Sequence, residues 1–363
     1  MRLFQNSGIN NSYAMRLDHL ALNSHTFQTR LDIFLNDRYG ASHFLKPVLD
    51  RSTDAFFTNG DDEKLQRAWA RENGLPRNST LPDILLAQIE DHETEVFYNL
   101  DPMRYGNDFL ARLPGCVKNT ICWRAAPSNN QNFSRYNLRV CNFPSILNAW
   151  EKQGLRAAYL APAYDPAMDE YAASTARPID VVFVGGYTQH HLRRAKILEA
   201  VSRLSEKYRI AYYLDQSRLA KLAESPLGYL LPIRQYRLPK TISAIRNPPV
   251  FGRALYHVFS QSKIVINAAV DMAGDDRGNM RCFEATGCGA LLLSDQGQYP
   301  PGFVPLKNFQ TYDDPNSACD LVESMTGDVT SRGSIASQGW AMIRTKYSKE
   351  LQWLTFQSLV AKI

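Results

Sequence analysis

The chain has 363 residues, is 44% hydrophobic and 21% charged, and carries a formal net charge of +5. This composition is ordinary for a soluble globular protein, the length favours two domains, and no apolar run is long enough to cross a bilayer. The mild positive charge favours anionic partners without specifying nucleic acid. The six cysteines show neither a CxxC pair nor zinc spacing, so free thiols in a reducing cytoplasm are expected.

The first half of the chain alternates short apolar segments with helical patterns. Strands are predicted over 1–8, 54–60, 94–101, 117–125, 138–144 and 156–164, and helices over 24–50, 61–73, 81–92 and 145–154. This alternation favours a parallel sheet covered by helices. The segment 165–178 contains two prolines and several small residues, and it predicts the link to a second domain.

The second half repeats the alternation more clearly. Strands are predicted over 179–187 and 209–215, with a helix over 190–208 between them and a Pro- and Arg-rich connection over 225–250. A further strand and helix follow residue 303, and the chain is predicted to end in one or two helices broken near Tyr347. We therefore expect a second Rossmann-like parallel sheet.

The segment from Leu255 to Asp295 is the most informative part of the chain. A helix leads into the apolar strand KIVINAAV, and a loop rich in Gly and Asp leads into a short helix that opens near Asn279. The apolar strand ALLLSD completes a βαβ unit, so the loop is expected at the carboxyl edge of a parallel sheet, where such sheets bind ligands. The start of the short helix presents backbone N–H groups that suit a phosphate.

Three segments carry a family resemblance: VVFVGGY, LYHVFSQSKIVIN and DRGNMRCFEATGCGALLLSD. In this order they resemble the donor-binding domain of GT-B glycosyltransferases, close to the bacterial group of the spore-maturation CgeB type and to glycosyltransferase families 1 and 4. The resemblance covers residues 179–345 and, loosely, 94–165. In retaining members an acidic residue precedes a second one by eight positions, as Asp276 precedes Glu284 here, although the first is Asp and the usual Gly-Phe-Gly is replaced by RGNM.

The resemblance implies an α/β fold of two Rossmann-like parallel-sheet domains facing a cleft. Residues 1–165 would form the acceptor-binding domain, 166–345 the donor domain, and 346–363 a helix that crosses back to the first domain. The implied activity is transfer of a hexose from a UDP- or GDP-linked sugar to a hydroxyl of a glycan or lipid-linked acceptor. The resemblance implies no cofactor and no metal, and the chain contains no Asp-x-Asp motif after a strand.

The donor-side candidates follow from the resemblance and from residue chemistry. Glu284 would accept hydrogen bonds from the ribose diol, and Asp276, a catalytic candidate, would bind a hexose hydroxyl. Arg277 and Arg281 would neutralise the diphosphate, because an Arg fork supplies charge without metal. The remaining candidates line the same strand and helix ends: Gly185, Gly186, Tyr187, Asn279 and Met280. The alternatives are an exposed ion pair between Glu284 and Arg281, a helix cap at Asn279 and a solvated loop acid at Asp276.

The acceptor-side candidates lie at predicted strand ends of the first half: Gly8, Asn10, Asp101, Arg104 and Arg124. Asp101 is the candidate catalytic base if the enzyme inverts the configuration of the sugar, and a solvent-exposed turn acid is the alternative. A retaining enzyme needs no such base.

A run of basic residues interleaved with aromatic ones could meet anionic lipid at the inner face of the membrane, or an acidic glycan. It comprises Arg234, Arg237, Lys240, Arg246 and Arg253 with Tyr229, Tyr236 and Phe251. A solvated connector is the alternative. The N-terminus lacks the apolar core of a signal peptide, which favours a cytoplasmic location.

Two other functions fit the same fold. One is a nucleotide-sugar epimerase, which would act on the nucleotide sugar without an acceptor. The other is a non-catalytic glycan-binding or assembly protein. A nucleic-acid binder is disfavoured because the basic residues do not gather on one recognisable module.

Overall fold

The computed structural model describes residues 1–126, 133–187, 191–216, 218–225, 228, 233–269 and 274–363. These residues form two compact units: unit 1 is Met1–Pro162 with Lys349–Ile363, and unit 2 is Ala163–Ser348. Each unit holds a six-stranded sheet whose described pairings are all parallel. The predicted fold class, two Rossmann-like parallel-sheet domains, is thereby confirmed. The assignment of the units to acceptor and donor stays a prediction.

Unit 1 is built around strands β1 to β6 in the order β2-β1-β3-β4-β5-β6. The strands are β1 (Leu3–Ser7), β2 (Ala55–Asn59), β3 (Val96–Asn99), β4 (Asn119–Trp123), β5 (Leu138–Cys141) and β6 (Ala157–Tyr159). The helices are α1 (Asn11–Leu20), α2 (Phe27–Asp37), α3 (Lys46–Leu49), α4 (Glu63–Glu72), α5 (Leu81–Asp91), α6 (Asn107–Leu110), α7 (Pro144–Lys152) and, at the end of the chain, α16 (Lys349–Val360).

The central strands of unit 1 are buried on both faces, as parallel strands between helix layers must be. Leu3 and Phe4 are adjacent in β1 and belong to different apolar clusters on opposite sides of the sheet. One cluster includes Phe356 of α16, whose ring centroid lies 5.0 Å from that of Tyr98. The last helix is therefore part of the core of unit 1.

A buried lysine fixes the start of α16. Lys349 is 2% exposed, and its Nζ donates to the carbonyl oxygens of Ala41, Ser42 and Phe44 at 2.7, 3.1 and 2.7 Å. These carbonyls lie in the turn before α3, where that of Ala41 also accepts from the backbone nitrogen of Phe44 at 3.0 Å and that of Ser42 from Nε2 of Gln352 at 3.2 Å. Because a buried carbonyl without a donor costs free energy, this ammonium links the two ends of unit 1.

Lys349→Met should lower the free energy of unfolding by roughly 2–4 kcal/mol, because it keeps the side-chain volume but removes one donor from each of three buried carbonyls. The shift in the urea unfolding midpoint measures this loss. Lys362→Met is the matched control, since Lys362 is exposed near the end of the same segment and should change stability by less than about 0.5 kcal/mol. Equal effects of the two variants would contradict the anchoring role.

Unit 2 has strands β7 to β12 in the order β12-β11-β10-β7-β8-β9. The strands are β7 (Ile179–Gly185), β8 (Ile210–Leu214), β9 (Arg246–Asn247), β10 (Ser262–Asn267), β11 (Leu291–Asp295) and β12 (Gln310–Tyr312). The helices are α8 (Asp169–Ala172), α9 (Leu192–Arg203), α10 (Arg218–Ala223), α11 (Lys240–Ala244), α12 (Gly252–Ser260), α13 (Met280–Gly287), α14 (Pro315–Gly327) and α15 (Val329–Lys346).

The structure corrects three sequence-based boundaries. The helical pattern over 24–50 is two helices, α2 and α3, separated by a 3₁₀ turn at Ala41–His43. The helix α1 precedes this predicted pattern, and only Tyr13 and Leu17 of its ten residues are buried. The connection over 225–250 contains the two-residue edge strand β9, which is too short to leave a pattern in the sequence. The predicted break near Tyr347 is confirmed, since it separates α15 from α16.

Candidate functional site

In unit 2 the chain reverses its direction across the sheet between β7 and β10. From β7 it proceeds outward to β8 and β9, and it then returns to the other side of β7 for β10, β11 and β12. The connections after β7 and β10 therefore diverge and leave a crevice at the carboxyl ends of these strands, which is where open α/β sheets bind ligands. The start of α13 follows β10 at this edge.

Arg281 and Glu284 meet at this crevice. They lie one turn apart on α13, and Nη1 of Arg281 forms an ion pair with Oε2 of Glu284. Nε of Arg281 also donates to the carbonyl oxygen of Val184, at 3.3 Å. Since Val184 is the penultimate residue of β7, this bond brings the guanidinium from α13 to the end of the neighbouring strand. The structure thus brings together two of the residues that were predicted to bind the donor sugar.

Glu284 is only 3% exposed, whereas the side chain of Arg281 is 25% exposed. Burial raises the pKa of Glu284, and the charge and hydrogen bond of Arg281 oppose that shift. The ion pair offered as the alternative from the sequence is therefore present, but its placement on an exposed face is wrong. The carboxylate is held inside the unit by a cation that itself reaches the surface.

Asn279 occupies the N-cap position of α13, but its side chain does not cap the helix. Its Nδ2 instead donates to Oδ1 of Asn267 at 3.1 Å. The helix-cap alternative is therefore wrong for the side chain. The first N–H groups of α13, from Met280 onward, have no side-chain cap, which leaves the helix start suited to an anionic ligand.

Asn267, the last residue of β10, is a functional candidate that the sequence analysis missed. It is 4% exposed, and its Nδ2 donates to Oγ of Ser294, its register partner in β11, at 2.9 Å. Its carbonyl oxygen accepts from the hydroxyl of Tyr312 at 2.6 Å. The only signal in the sequence was an amide that ends an otherwise apolar strand. This network fixes the position of Asn279, and hence of the start of α13.

Arg277 is placed differently from the prediction. Arg277 is 6% exposed, and its Nε lies 2.9 Å from Oδ2 of Asp295. Its Nη1 donates to the carbonyl oxygens of Gly274 and Asp276 at 2.7 and 3.1 Å. The guanidinium thus ties the loop before α13 to the end of β11, and its contacts are structural. Asp276 is 2% exposed, so the alternative of a solvated loop acid is wrong.

The end of β7 is built as a turn held by neighbouring side chains. A Cβ at Gly185 would lie 3.0 Å from the ring of Phe183, so packing alone explains this glycine. The carbonyl oxygen of Gly186 accepts from Nη1 of Arg194 at 3.2 Å. The hydroxyl of Tyr187 donates to Oε1 of Glu199 at 2.7 Å. These residues lie at the predicted edge, and their described contacts are internal to unit 2.

In unit 1 the chain reverses its direction across the sheet between β1 and β3. Gly8 follows β1, and Asp101 follows β3 two residues after its end. A Cβ at Gly8 would lie 3.2 Å from Oδ2 of Asp101, so the backbone of this loop lies directly against the carboxylate. Nε of Arg104 lies 3.3 Å from the same oxygen. The structure therefore brings these three predicted residues together at the ligand-binding edge of the sheet.

Asp61 completes this cluster and was missed from the sequence. Both of its carboxylate oxygens lie 3.1 Å from the backbone nitrogen of Ile9, and Oδ2 lies 3.9 Å from Nη2 of Arg104. Its side chain is 8% exposed, and burial raises its pKa to about 6, with the Ile9 amide opposing and the charge of Asp101 adding to the shift. A carboxyl in a turn after a strand was a weak signal, because such turn acids are common.

A network of buried side-chain amides supports Asp61 and Asp101, which we call the acidic pair. Asn6 of β1 donates to Asn99 of β3 at 2.8 Å, and its Oδ1 accepts from the backbone of Gly60 at 2.9 Å. Oδ1 of Asn99 accepts from the backbone nitrogen of Asp101 at 3.0 Å. The loops after β1, β2 and β3 are thus fixed to one another through side chains from the strands themselves.

The two remaining acceptor-side candidates have different positions. Asn10 caps α1, accepting from the backbone nitrogen of Tyr13 at 2.7 Å, so its side chain is used by the helix. Arg124 follows β4, and burial lowers its pKa while the charge of Asp101 opposes that shift. Arg124 is therefore within electrostatic reach of the acidic pair.

A cavity of about 690 Å³ opens beside this cluster within unit 1. Asp61 and Arg104 line one part of it, and residues of α1, α2, α4 and the loops next to them line the rest. This volume lies within the range of small-ligand sites, roughly 300–1,000 Å³. The carboxyl of Asp61 thus borders a space of the size that a sugar needs.

The basic connection of unit 2 makes local ion pairs. Arg253 lies 3.2 Å from Glu170, and Arg246 lies 3.8 Å from Glu224. Tyr229 lies outside the described residues. No helix in the described part of the chain is long and apolar enough to span a membrane. Across the same residues, no group of three or more His, Cys, Asp or Glu side chains is arranged to hold a metal ion.

Comparisons with known proteins agree with this architecture. Residues 193–353 match the family model described as glycosyl transferase-like, which is less than half of the chain. No curated protein sequence matches the chain.

Similar solved structures include HepE from Anabaena, solved in complex with UDP-glucose, with 12% identity, a TM-score of 0.56 and 99% of each chain covered. Sucrose-phosphate synthase from Thermosynechococcus elongatus has 10% identity and a TM-score of 0.55, with 99% of this chain and 98% of that chain covered. TarM from S. aureus, solved with fondaparinux, α-GlcNAc-glycerol and UDP, has 10% identity and a TM-score of 0.56 over 77% of this chain and 59% of its own.

The fold is that of the GT-B glycosyltransferases, and the matched segment lies almost wholly in unit 2, around the crevice at α13. The chain therefore has the GT-B fold that the resemblance implied, and its matched segment is glycosyl transferase-like.

Proposed function

We propose that this protein transfers a hexose from a nucleotide-diphosphate sugar, bound by unit 2 at the start of α13, to a hydroxyl of a glycan or lipid-linked acceptor bound by unit 1. The observation that carries the proposal is the position of Arg281 and Glu284. Both belong to α13, and Arg281 reaches the end of β7, so an arginine and a carboxylate meet at the crevice where the sheet reverses.

The chemistry of this pair fits the two parts of a nucleotide diphosphate. A carboxylate offers two acceptor oxygens to the vicinal diol of a ribose, which is the role proposed for Glu284. The guanidinium of Arg281 and the uncapped N–H groups at the start of α13 would take the diphosphate, and both supply positive charge without metal. Arg277, which is engaged with Asp295, is not included in this role.

UDP-linked sugars are the first donors to test. HepE was solved with UDP-glucose and TarM with UDP, and both share the fold of this chain. Asp276 is proposed to contact the hexose, because it lies in the loop that leads into α13. The leaving diphosphate would then be stabilised by the same helix start throughout the reaction.

On the acceptor side, Asp61 and Asp101 are the groups proposed to receive the proton of the attacking hydroxyl if the sugar is inverted. Asp61 is the better candidate for general base, since a base is most effective when its pKa lies near the operating pH. Arg104 lies 3.3 Å from the carboxylate of Asp101 and would fix its position at the same strand edge.

The pH dependence of the reaction should report the ionisation of Asp61. Because the base must be ionised and its pKa is raised to about 6, kcat/KM should fall about tenfold per pH unit below pH 6 and level off above it. A pH–rate profile with a UDP-sugar measures this. A profile that stays flat from pH 5 to 8 would rule out Asp61 as the base.

A donor assay tests the function as a whole. The full chain is incubated with a panel of UDP- and GDP-sugars, with and without glycan acceptors and with chelator present, and the products are followed by NMR. Transfer or slow hydrolysis that releases UDP supports the proposal. Isomerisation of the nucleotide sugar would indicate an epimerase, and tight binding of glycan without any turnover would indicate a binding protein.

A further inference from the structure

A second cavity lies in unit 2 at the edge of the sheet opposite to the crevice at α13. Its volume is about 680 Å³, and it lies between the α8 region and α15. Its lining includes Arg177 just before β7, Lys263 near the start of β10 and Gly289 just before β11, so it opens at the amino ends of these strands. We refer to this cavity as the amino-edge trough.

The trough is strongly basic. Arg177, Lys263, Arg332 and Arg344 line it, and Asp169 is the acid among its described lining residues. Asp169 lies 3.1 Å from Nε of Arg344 at the exposed end. Lys263 lies 2.6 Å from Asp180, which is outside the lining. Asp328 also acts on Arg332, and the four basic side chains still outnumber these three acids.

Backbone carbonyls hold the two inner arginines in place. Arg177 donates to the carbonyl oxygens of Phe259, Ser262 and Cys288 at 3.1, 3.0 and 3.0 Å. Nη1 of Arg332 donates to the carbonyl oxygens of Met325 and Thr326 at 2.5 and 2.9 Å. Carbonyls satisfy hydrogen bonds without cancelling charge. Asp180 and Asp328 also act on Arg332, so its charge is offset in part, whereas no carboxylate is among the groups that shift the pKa of Arg177.

The two inner arginines also repel each other. Burial lowers the pKa of Arg177, and the charge of Arg332 lowers it further. Burial likewise lowers the pKa of Arg332, although nearby carboxylates oppose that shift. An anion between them would relieve this repulsion.

Small side chains on α15 create the space. Gly333, Ala336 and Ser337 lie between Arg332 and Trp340 along the helix face that lines the trough. A Cβ added at Gly333 would have no atom within 4 Å, so this position borders open space. The ring of Trp340 adds an apolar wall, with the guanidinium of Arg344 centred 4.4 Å from it.

From the basic lining, the open volume and the aromatic wall together, we propose that the amino-edge trough binds a small organic phosphate of sugar-phosphate size. The phosphate would lie against Arg332 and Lys263, and the sugar body along Ala336 and Trp340. Because the trough opens at the amino ends of the strands, this ligand is distinct from the nucleotide-sugar donor, and the proposal does not depend on the donor assignment.

The test is calorimetric titration of the full chain with glucose 6-phosphate, glucose and inorganic phosphate. Saturable binding of glucose 6-phosphate is expected, with no binding of glucose and weaker binding of inorganic phosphate. Gly333→Leu should weaken binding at least about tenfold, because it fills the trough while improving helix propensity. Gly333→Ala is the matched control, since one added carbon in open space should leave affinity unchanged.

Two further variants complete the design. Arg332→Gln removes one inner charge and should also weaken binding, and Glu284→Gln, at the other edge of the sheet, should leave it unchanged. The proposal is overturned if glucose 6-phosphate does not bind in the millimolar range, if inorganic phosphate binds as tightly, or if Gly333→Leu binds like the unmodified protein. Loss of binding in Glu284→Gln would place the phosphate at α13 instead and would also overturn it.

Discussion

Glu284→Gln should weaken the binding of UDP and UDP-sugars by about 10- to 100-fold, which corresponds to the roughly 1.5–3 kcal/mol of a hydrogen bond to a charged group. The substitution keeps the shape of the side chain but removes the charge proposed to hold the ribose diol. It also removes the ionic partner of Arg281, which is proposed to hold the diphosphate. Isothermal titration calorimetry with UDP measures the effect directly.

The fold should survive this substitution. Burial raises the folded-state pKa of Glu284, so ionising this carboxyl costs free energy in the folded protein. The contribution of Glu284 to the free energy of unfolding is therefore greatest at low pH and is lost as pH rises through the folded-state pKa. A neutral Gln should therefore cost little stability at pH 7. Glu323→Gln is the matched control, because Glu323 makes an exposed ion pair with Lys207 in the same unit. Equal UDP affinity in Glu284→Gln and the unmodified chain would exclude the proposed role.

Asp61→Asn should lower kcat by about 10²- to 10⁴-fold, the usual contribution of a general base, while leaving the Kd for UDP unchanged. The reason is that Asp61 lies in unit 1, two residues after the end of β2, and has no part in the proposed donor site. Single-turnover kinetics with a UDP-sugar and an acceptor, together with calorimetry, separate these two quantities.

The stability of this variant is expected to be unchanged or higher. The folded pKa of Asp61 is raised to about 6, so its ionised form is disfavoured by folding above that pH, and Asn can still accept the hydrogen bond from the Ile9 amide. Asp32→Asn is the control, since Asp32 makes an exposed ion pair with Arg51 in the same unit.

Asp101→Asn distinguishes the two carboxyls. If Asp61 is the base, Asp101→Asn should reduce kcat less than Asp61→Asn and should shift the acidic limb of the pH profile to lower pH, because the charge of Asp101 raises the pKa of Asp61. The reverse order of effects would make Asp101 the base, as the sequence analysis proposed. Retention of the anomeric configuration, with full activity in both variants, would exclude a base in unit 1.

Much of the fold could be predicted because buried parallel strands have a strong sequence signature. Segments such as IDVVFVG and ALLLSD are continuous apolar runs bounded by turns, and both are strands of unit 2. Elements with few buried residues lack such a pattern. α1 carries its buried residues at Tyr13 and Leu17 only, and β9 consists of two residues at the edge of a sheet.

The candidate site was predictable only where one local segment contained it. Arg281 and Glu284 are close in sequence and share a helix, so their meeting followed from helix geometry. Asp61 and Asp101 are 40 positions apart, and their proximity depends on β1 lying between β2 and β3. Whether Arg277 faces a ligand or Asp295 depended on how the loop before α13 folds back on β11.

The amino-acid sequence by itself determined the two-sheet α/β class and the position of the βαβ unit around α13, because apolar periodicity and turn residues act over short distances. The tertiary structure alone decided the strand orders, the burial of Glu284, the pairing of Asp61 with Asp101 and the basic trough at the opposite edge of the second sheet. Each of these depends on which strands become neighbours, and that choice results from the packing of the whole sheet.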